Sequence, residues 1–380
     1  MTPMTPMSRL DPARLWAIAR KETLQLRRDR RSLLLAFALP LLLLVIFGYA
    51  IVWDVRDIAL AVVDQDASPE SRELVDGFLA SGYFTLVARP ERPGDATALF
   101  ARGTARLVLV VPPDFAADLG AGRTAKLQVL LDGSDANTAT IALAYAEAVA
   151  ASFSQRVALH GVRLTLPIVA ESRVWYNETL ASRDMIVPGL VAVIMMVIAA
   201  MLTSLTIARE WERGTMEQLA STPVTRLEVV LGKLLPYLAI GLVDVAAVSV
   251  LGVVLFGVPF RGNALLLLPF SFLFLCGSLG LGLFISAVSR SQVLATQIAL
   301  VATFLPAFLL SGFMFAIENM PPVLRAISYF VPARYFLVVT RGIFLKGVGI
   351  SVLRVQGLLM LAFAVLGLAL AVHSFRKELD

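Results

Sequence analysis

Cysteine and histidine are almost absent from this chain. It has one cysteine, Cys276, and two histidines, His160 and His373, among 380 residues. One cysteine excludes a disulfide framework within the chain. Two histidines do not by themselves build a metal site. The HExxH pattern is missing, and so is GxxxxGK[ST]; the nearest text, Gly232-Lys233-Leu234, has no glycine loop before it. ATP is therefore not bound here by that route. Without a clustered nucleophile, base or metal ligand, the expectation is no enzyme, no catalytic residue and no cofactor in this chain. Charge is also scarce, at 16% of residues, where soluble domains carry about 25%. No basic stretch is interleaved with aromatics as a nucleic-acid groove requires, so nucleic acid is excluded as a partner.

What fills the chain is apolar, 58% of all residues. Six long apolar runs occupy residues 33–53, 185–208, 234–256, 264–288, 292–317 and 352–373. Crossing about 30 Å of hydrocarbon takes roughly 20 helical residues, and hydrocarbon offers no water to satisfy backbone amides, so such runs should be helices. The fold class read from this pattern is an α-helical membrane protein with six transmembrane helices. The runs are split one-plus-five by a 131-residue insert, 54–184, with 17 acidic and 12 basic residues. The rest of the chain has a net charge of +10, gathered at run edges, which suits anionic lipid. More than 30 residues precede the first run and no A-x-A follows it, so it reads as a signal anchor rather than a cleaved leader.

Leaving the long insert aside, 15 basic residues fall on one side of the runs and 6 on the other. The positive-inside rule then puts both termini in the cytoplasm and the insert outside. Residues 1–32 form a cytoplasmic N-terminus. Within it, 12–31 place Leu15, Trp16, Ile18, Ala19, Thr23 and Leu26 on one face and Arg14, Arg20, Lys21, Arg27, Arg28 and Arg31 on the other. That pattern predicts an amphipathic helix lying in the headgroup region.

The insert alternates strand and helix signals: strands at 58–63, 83–87, 106–111 and 127–131, and helices from Ser68-Pro69 to 80, over 95–102 and over 137–159. Such alternation predicts a small α/β extracytoplasmic domain. Its carboxylates sit at turns and helix starts, where capping accounts for them. Residues 185–380 then hold the other five spans. The outer loop 318–351 contains two short proline-started helical stretches, 323–330 and 333–345, expected to dip into the outer leaflet or cap the bundle.

The loop after the second span, 209–233, is the strongest functional segment. It reads Arg209-Glu210-Trp211-Glu212-Arg213-Gly214-Thr215-Met216-Glu217-Gln218-Leu219-Ala220-Ser221-Thr222-Pro223, with Met216, Leu219 and Ala220 as an apolar edge. A short helix of this kind docks in a groove on another protein; a solvated hairpin is the plainer alternative. The loop, continued through Leu231-Gly232-Lys233-Leu234-Leu235-Pro236-Tyr237, resembles the loop between the second and third spans of ABC-2 type permeases. Ser311-Gly312-Phe313, Ile317-Glu318-Asn319-Met320-Pro321 and Pro332-Ala333-Arg334-Tyr335-Phe336 resemble that family's outer loop. The one-plus-five layout with a large external domain resembles its drug-efflux branch.

That resemblance implies a membrane subunit of a bacterial exporter in the inner membrane. It implies a coupling helix within 212–221 contacting a separate cytoplasmic ABC ATPase that holds the ATP and Mg. The coupling residues it points to are Arg209, Glu210, Glu212, Arg213, Gly214, Thr215, Met216, Glu217 and Leu219. It also implies a connecting helix over 12–31 and a second permease copy, identical or related; a periplasmic adaptor is a further partner of such systems.

Asp244 lies in the middle of the third run, where a carboxylate costs about 2.5–3.5 kcal/mol and must face protein or water. It is a candidate for the transport path or for proton binding; the alternative is a hydrogen bond to Thr296 or Gln297 of the fifth run. Ser278, Gly282 and Ser286 recur every four residues in the fourth run and predict a helix-packing seam, within the subunit or between subunits. Two other functions stay open: a membrane-anchored scaffold whose external domain recruits envelope components, and a proton-coupled carrier using Asp244. No repeat relates the first three runs to the last three, which weighs against the carrier.

Overall fold

The computed structural model describes residues 10–51, 57–158, 175–177 and 181–375, without the side chains of 31, 32, 136, 137 and 220. Arg9, His160, Arg376, Lys377 and the end of the first run at Trp53 lie outside the described residues. The chain divides into two compact units: residues 1–52 with 173–380, and residues 53–172.

In the first unit, α1 (Pro12–Arg28) is capped by the Asp11 side chain and ends at Asp29, and α2 (Arg30–Ala50) follows at once. The second unit is a four-stranded sheet with helices. It contains β1 (Ile58–Asp64), α3 (Pro69–Ala80), β2 (Phe84–Ala88), α4 (Ala96–Ala101), β3 (Leu107–Val111), α5 (Phe115–Gly120), β4 (Gln128–Leu131) and α6 (Ala136–Ala158). The order is β2-β1-β3-β4, with β1 parallel to β2 and β3 and β4 antiparallel to β3. Alternate residues of β1 face opposite sides, as the pleat requires. Leu60 and Val62 pack with Leu74, Phe78 and Phe153, while Ala61 and Val63 pack with Ala96 and Val108. Helix α5 has no counterpart in the sequence reading.

The first unit resumes with α7 (Ser182–Glu212), α8 (Met216–Ala220), α9 (Arg226–Phe256), α10 (Ala264–Ser289) and α11 (Gln292–Leu309). It closes with α12 (Pro322–Ser328), α13 (Pro332–Arg341) and α14 (Ile350–Ser374). Helices α2, α7, α9, α10, α11 and α14 are long and apolar enough to cross a membrane. Helix α7 is central: 83% of its apolar stretch is buried, against 22% for α2, α11 and α14.

Several boundaries differ from the sequence reading. Helix α9 begins eight residues before the apolar run, because Thr225 and Glu228 cap each other reciprocally: Glu228 N donates to Thr225 Oγ1 at 3.2 Å and Thr225 N to Glu228 Oε2 at 2.7 Å. Helix α11 ends at Leu309 rather than 317; Ser311 and the left-handed Gly312 (φ 86°) turn the chain there. In the outer loop, α12 and the stretch from α13 through Lys346 bend by 77° at the break between them.

Candidate functional site

Glu22 of α1, Glu210 of α7 and Lys233 of α9 come together at one end of the bundle, each at most 4% exposed. Burying a lone charge is prohibitive, so such groups persist only when paired. Lys233 Nζ lies 3.3 Å from Glu22 Oε2 and 3.0 Å from Glu210 Oε1. Lys21 Nζ approaches the same Glu210 oxygen at 2.9 Å from the solvent side. Tyr237 Oη, one turn beyond Lys233, donates to Glu22 Oε1 at 3.3 Å. Two acids and two lysines thus alternate, and three helices meet at one neutral cluster.

Further bonds tie the same elements. Arg209 Nη1 of α7 lies 3.2 Å from Asp29 Oδ2 in the α1–α2 turn. Asp11 N at the start of α1 donates to Glu228 Oε1 of α9 at 2.8 Å, and Arg14 Nη1 to the Pro223 carbonyl at 2.6 Å. Helix α1 can lie this close to α9 because of Gly232. A Cβ there would sit 2.8 Å from Ile18 Cβ and 3.1 Å from the Leu15 carbonyl oxygen. The apolar face of α1 is therefore covered by α9: Ala19 and Leu26 are buried, whereas Trp16 stays 68% exposed.

The loop 209–219 splits in two. Arg209, Glu210 and Glu212 belong to the last turn of α7 and bond within the chain, to Asp29, Lys233 and Gln292. Glu212 accepts from Gln292 N at 2.7 Å and also bonds the Gln292 side chain, capping α11. Within 212–221 the helix is Met216–Ala220; the left-handed Gly214 (φ 67°) separates it from α7. Thr215 precedes α8, and Met216 faces inward at 3% exposure. Arg213, Gly214 and Glu217 are exposed and Leu219 is half-buried. A cleft of about 490 Å³ runs between α1 and residues 215–224.

Asp244 is 2% exposed, and its Oδ2 has no partner among the described residues. The structure does not bring it to Thr296 or Gln297. Helix α9 packs on α1, α2, α7, α10 and α14, while α11 packs on α7, α10 and α13. Thr296 Oγ1 bonds its own helix at the Gln292 carbonyl, 2.8 Å away, and Gln297 is exposed. The small residues of α10 meet α7 within the chain. Backbone N–H groups of Ile207 and Ala208 donate to Ser286 Oγ at 3.0 and 2.9 Å, and Thr203 Oγ1 donates to the Leu279 carbonyl at 2.9 Å. A Cβ on Gly282 would collide with Thr203 Oγ1 and the Ala200 carbonyl. Ser278 bonds its own helix at Phe274.

Glu22, Glu228, Lys233 and Tyr237 were not singled out as site residues from the sequence. The signal for Glu22 was present: it falls on the face of α1 that carries Ile18, Ala19 and Leu26. A charge inside an apolar face is the informative exception.

The family model for ABC-2 family transporter proteins matches residues 30–373. The "Probable multidrug ABC transporter permease YbhS" of Escherichia coli (strain K12) is 40% identical over 369 residues, covering 97% of this chain and 98% of that one. The "Probable multidrug ABC transporter permease YbhR" of the same organism is 30% identical over 342 residues, covering 89% and 92%. "Inner membrane transport permease YhhJ", also from that organism, is 26% identical over 330 residues, covering 84% and 85%.

Proposed function

The chain belongs to the ABC-2 family of transporter proteins, and from that premise we propose that it is the membrane-spanning permease subunit of an ATP-driven exporter. A multi-pass membrane protein of this family works with an ATPase subunit. Here that subunit is separate and cytoplasmic and holds ATP and Mg; this chain does no covalent chemistry. Both termini and α8 face the cytoplasm, α1 lies along the inner interface, and residues 54–184 form the extracytoplasmic α/β domain. The permease pairs with a second copy or a related chain, and a periplasmic adaptor joins the extracytoplasmic domain in the assembled pump. The cargo moves outward and is at least partly apolar, drug-like or lipid-like, because the spans hold few fixed charges.

One observation carries this reading: the buried Glu22–Lys233–Glu210 cluster joins α1, α7 and α9, and Thr215, at the start of α8, donates to the Glu210 carbonyl. A push on α8 by a closing ATPase would reach three helices at once through an element that has little freedom to deform. Transport then follows from relative movement of paired bundles.

The test uses the full chain co-expressed with the ATPase from the neighbouring genes. Scrambling residues 212–219 should abolish export and recovery of the ATPase in a pull-down while leaving the permease in the membrane. A cysteine at Glu217, in a Cys276→Ala background, should be labelled only from the cytoplasmic side. Undiminished export after scrambling, or labelling from outside, would overturn the proposal; a scaffold would survive the scramble.

A further inference from the structure

A second feature of the same end of the bundle is not used by the coupling cluster. An open cleft of about 960 Å³ lies between α1, α2, α7 and the start of α11. Its charge is lopsided: Lys21, Arg28, Arg209 and Arg213 line it, against the single carboxylate of Asp29. Lys21 is held by Glu210 and Arg209 by Asp29. Arg28 and Arg213, both exposed, have no acidic partner among the described residues.

The cleft is also graded from charged to apolar. On α7, Leu205, Arg209 and Arg213 follow at four-residue steps along one stripe, with the leucine deepest in the bundle. On α1, Lys21, Leu24 and Arg28 share a face in the same way. Leu35 lies five residues into α2, about 7 Å along the helix axis. Leu24 and Leu35 are 44% and 47% exposed, so apolar surface is open beside open positive charge.

We infer that this cleft is a binding site for an anionic amphiphile, a lipid of the leaflet at that end of the bundle. Its anionic headgroup lies between Arg28 and Arg213 and its alkyl chain runs along Leu24, Leu35 and Leu205. A soluble anion would match the arginines and leave the leucines wet. A purely apolar guest would match the leucines and leave two guanidinium groups without counter-ions. An amphiphile satisfies both, and Leu35 and Leu205 are at the near ends of spanning helices, where lipid is already the solvent. The inference rests on the placement of the spans in a bilayer and not on transport, so it stands or falls separately from the exporter reading.

The experiment uses the purified full chain in zwitterionic nanodiscs, with phosphatidylglycerol added in graded amounts and retained lipid counted by native mass spectrometry. Wild-type protein should retain phosphatidylglycerol in preference to phosphatidylcholine. Each unpaired arginine contributes about fivefold in affinity, so the Arg28→Gln/Arg213→Gln variant should lose more than tenfold. Arg354→Gln, at the other end of the bundle, should change nothing. A photo-crosslinker in place of Leu35 should capture phosphatidylglycerol. Equal retention of both lipids, or unchanged retention in the double variant, would overturn the inference. Displacement by millimolar inorganic phosphate would reassign the cleft to a soluble anion. Loss of the bound lipid on adding the ATPase subunit would reassign it to a protein contact.

Discussion

Lys233 Nζ of α9 sits 3.3 Å from Glu22 Oε2 of α1, across 211 positions of sequence, and both side chains are 2–3% exposed. The second acid, Glu210, is 3.0 Å from the same nitrogen. A buried cation between two carboxylates holds only while all three remain.

Lys233→Met should therefore destabilise the protein by about 3–5 kcal/mol, since it leaves two buried carboxylates facing one another. The triple variant Glu22→Gln/Lys233→Met/Glu210→Gln should regain most of that loss, because no uncompensated buried charge remains and Lys21 reaches solvent. Thermal unfolding in detergent reads the difference. If the cluster transmits force, the triple variant stays folded yet exports poorly; wild-type export would assign the cluster to stability alone.

Gly214→Val should uncouple without unfolding. Gly214 adopts φ 67° with open space around it, a conformation costing an L-residue about 1–2 kcal/mol. The substitution should re-aim α8 and leave the buried cluster intact. Permease-stimulated ATP hydrolysis should fall while the melting temperature changes little.

Asp244→Asn should keep assembly and impair export. The side chain is buried with one oxygen unpartnered among the described residues, a position that membrane proteins reserve for function more often than for packing. Complex recovery and substrate accumulation in cells are the two readouts. Unchanged export would assign Asp244 to the packing of α9.

Gly282→Ala should cost about 1–3 kcal/mol, because the added methyl meets Thr203 and the Ala200 carbonyl, and backbone cannot swing aside. Gly133→Ala, with nothing within 4 Å, is the matched control. Membrane yield and thermal unfolding should separate the two variants. Equal behaviour would mean that α7 and α10 pack more loosely than their separation suggests.

The legible and illegible parts of this protein divide along one line. The six apolar runs and, α5 apart, the strand–helix order of 58–158 are readable because each is a local pattern, a length or a period. Helix ends were less so: α11 stops at Leu309 because Gly312 turns left-handed, although the apolar run continues to Ile317. The loop 209–219 is recognisable by its residues, but the bonds of Glu210 to Lys233 and of Glu212 to Gln292 are not. Asp244 was noticed for its charge, while its expected neighbours Thr296 and Gln297 sit on a helix packed elsewhere.

The sequence by itself determined that this chain crosses a bilayer and carries a folded insert, because transfer from water to hydrocarbon is a sum over consecutive residues. Tertiary structure alone decided which charges meet and which helix faces close on each other. Those outcomes depend on how helices rotate and approach, as where Gly232 admits α1 and Gly282 admits α7. Residues about two hundred positions apart share no local pattern from which their contact could be read.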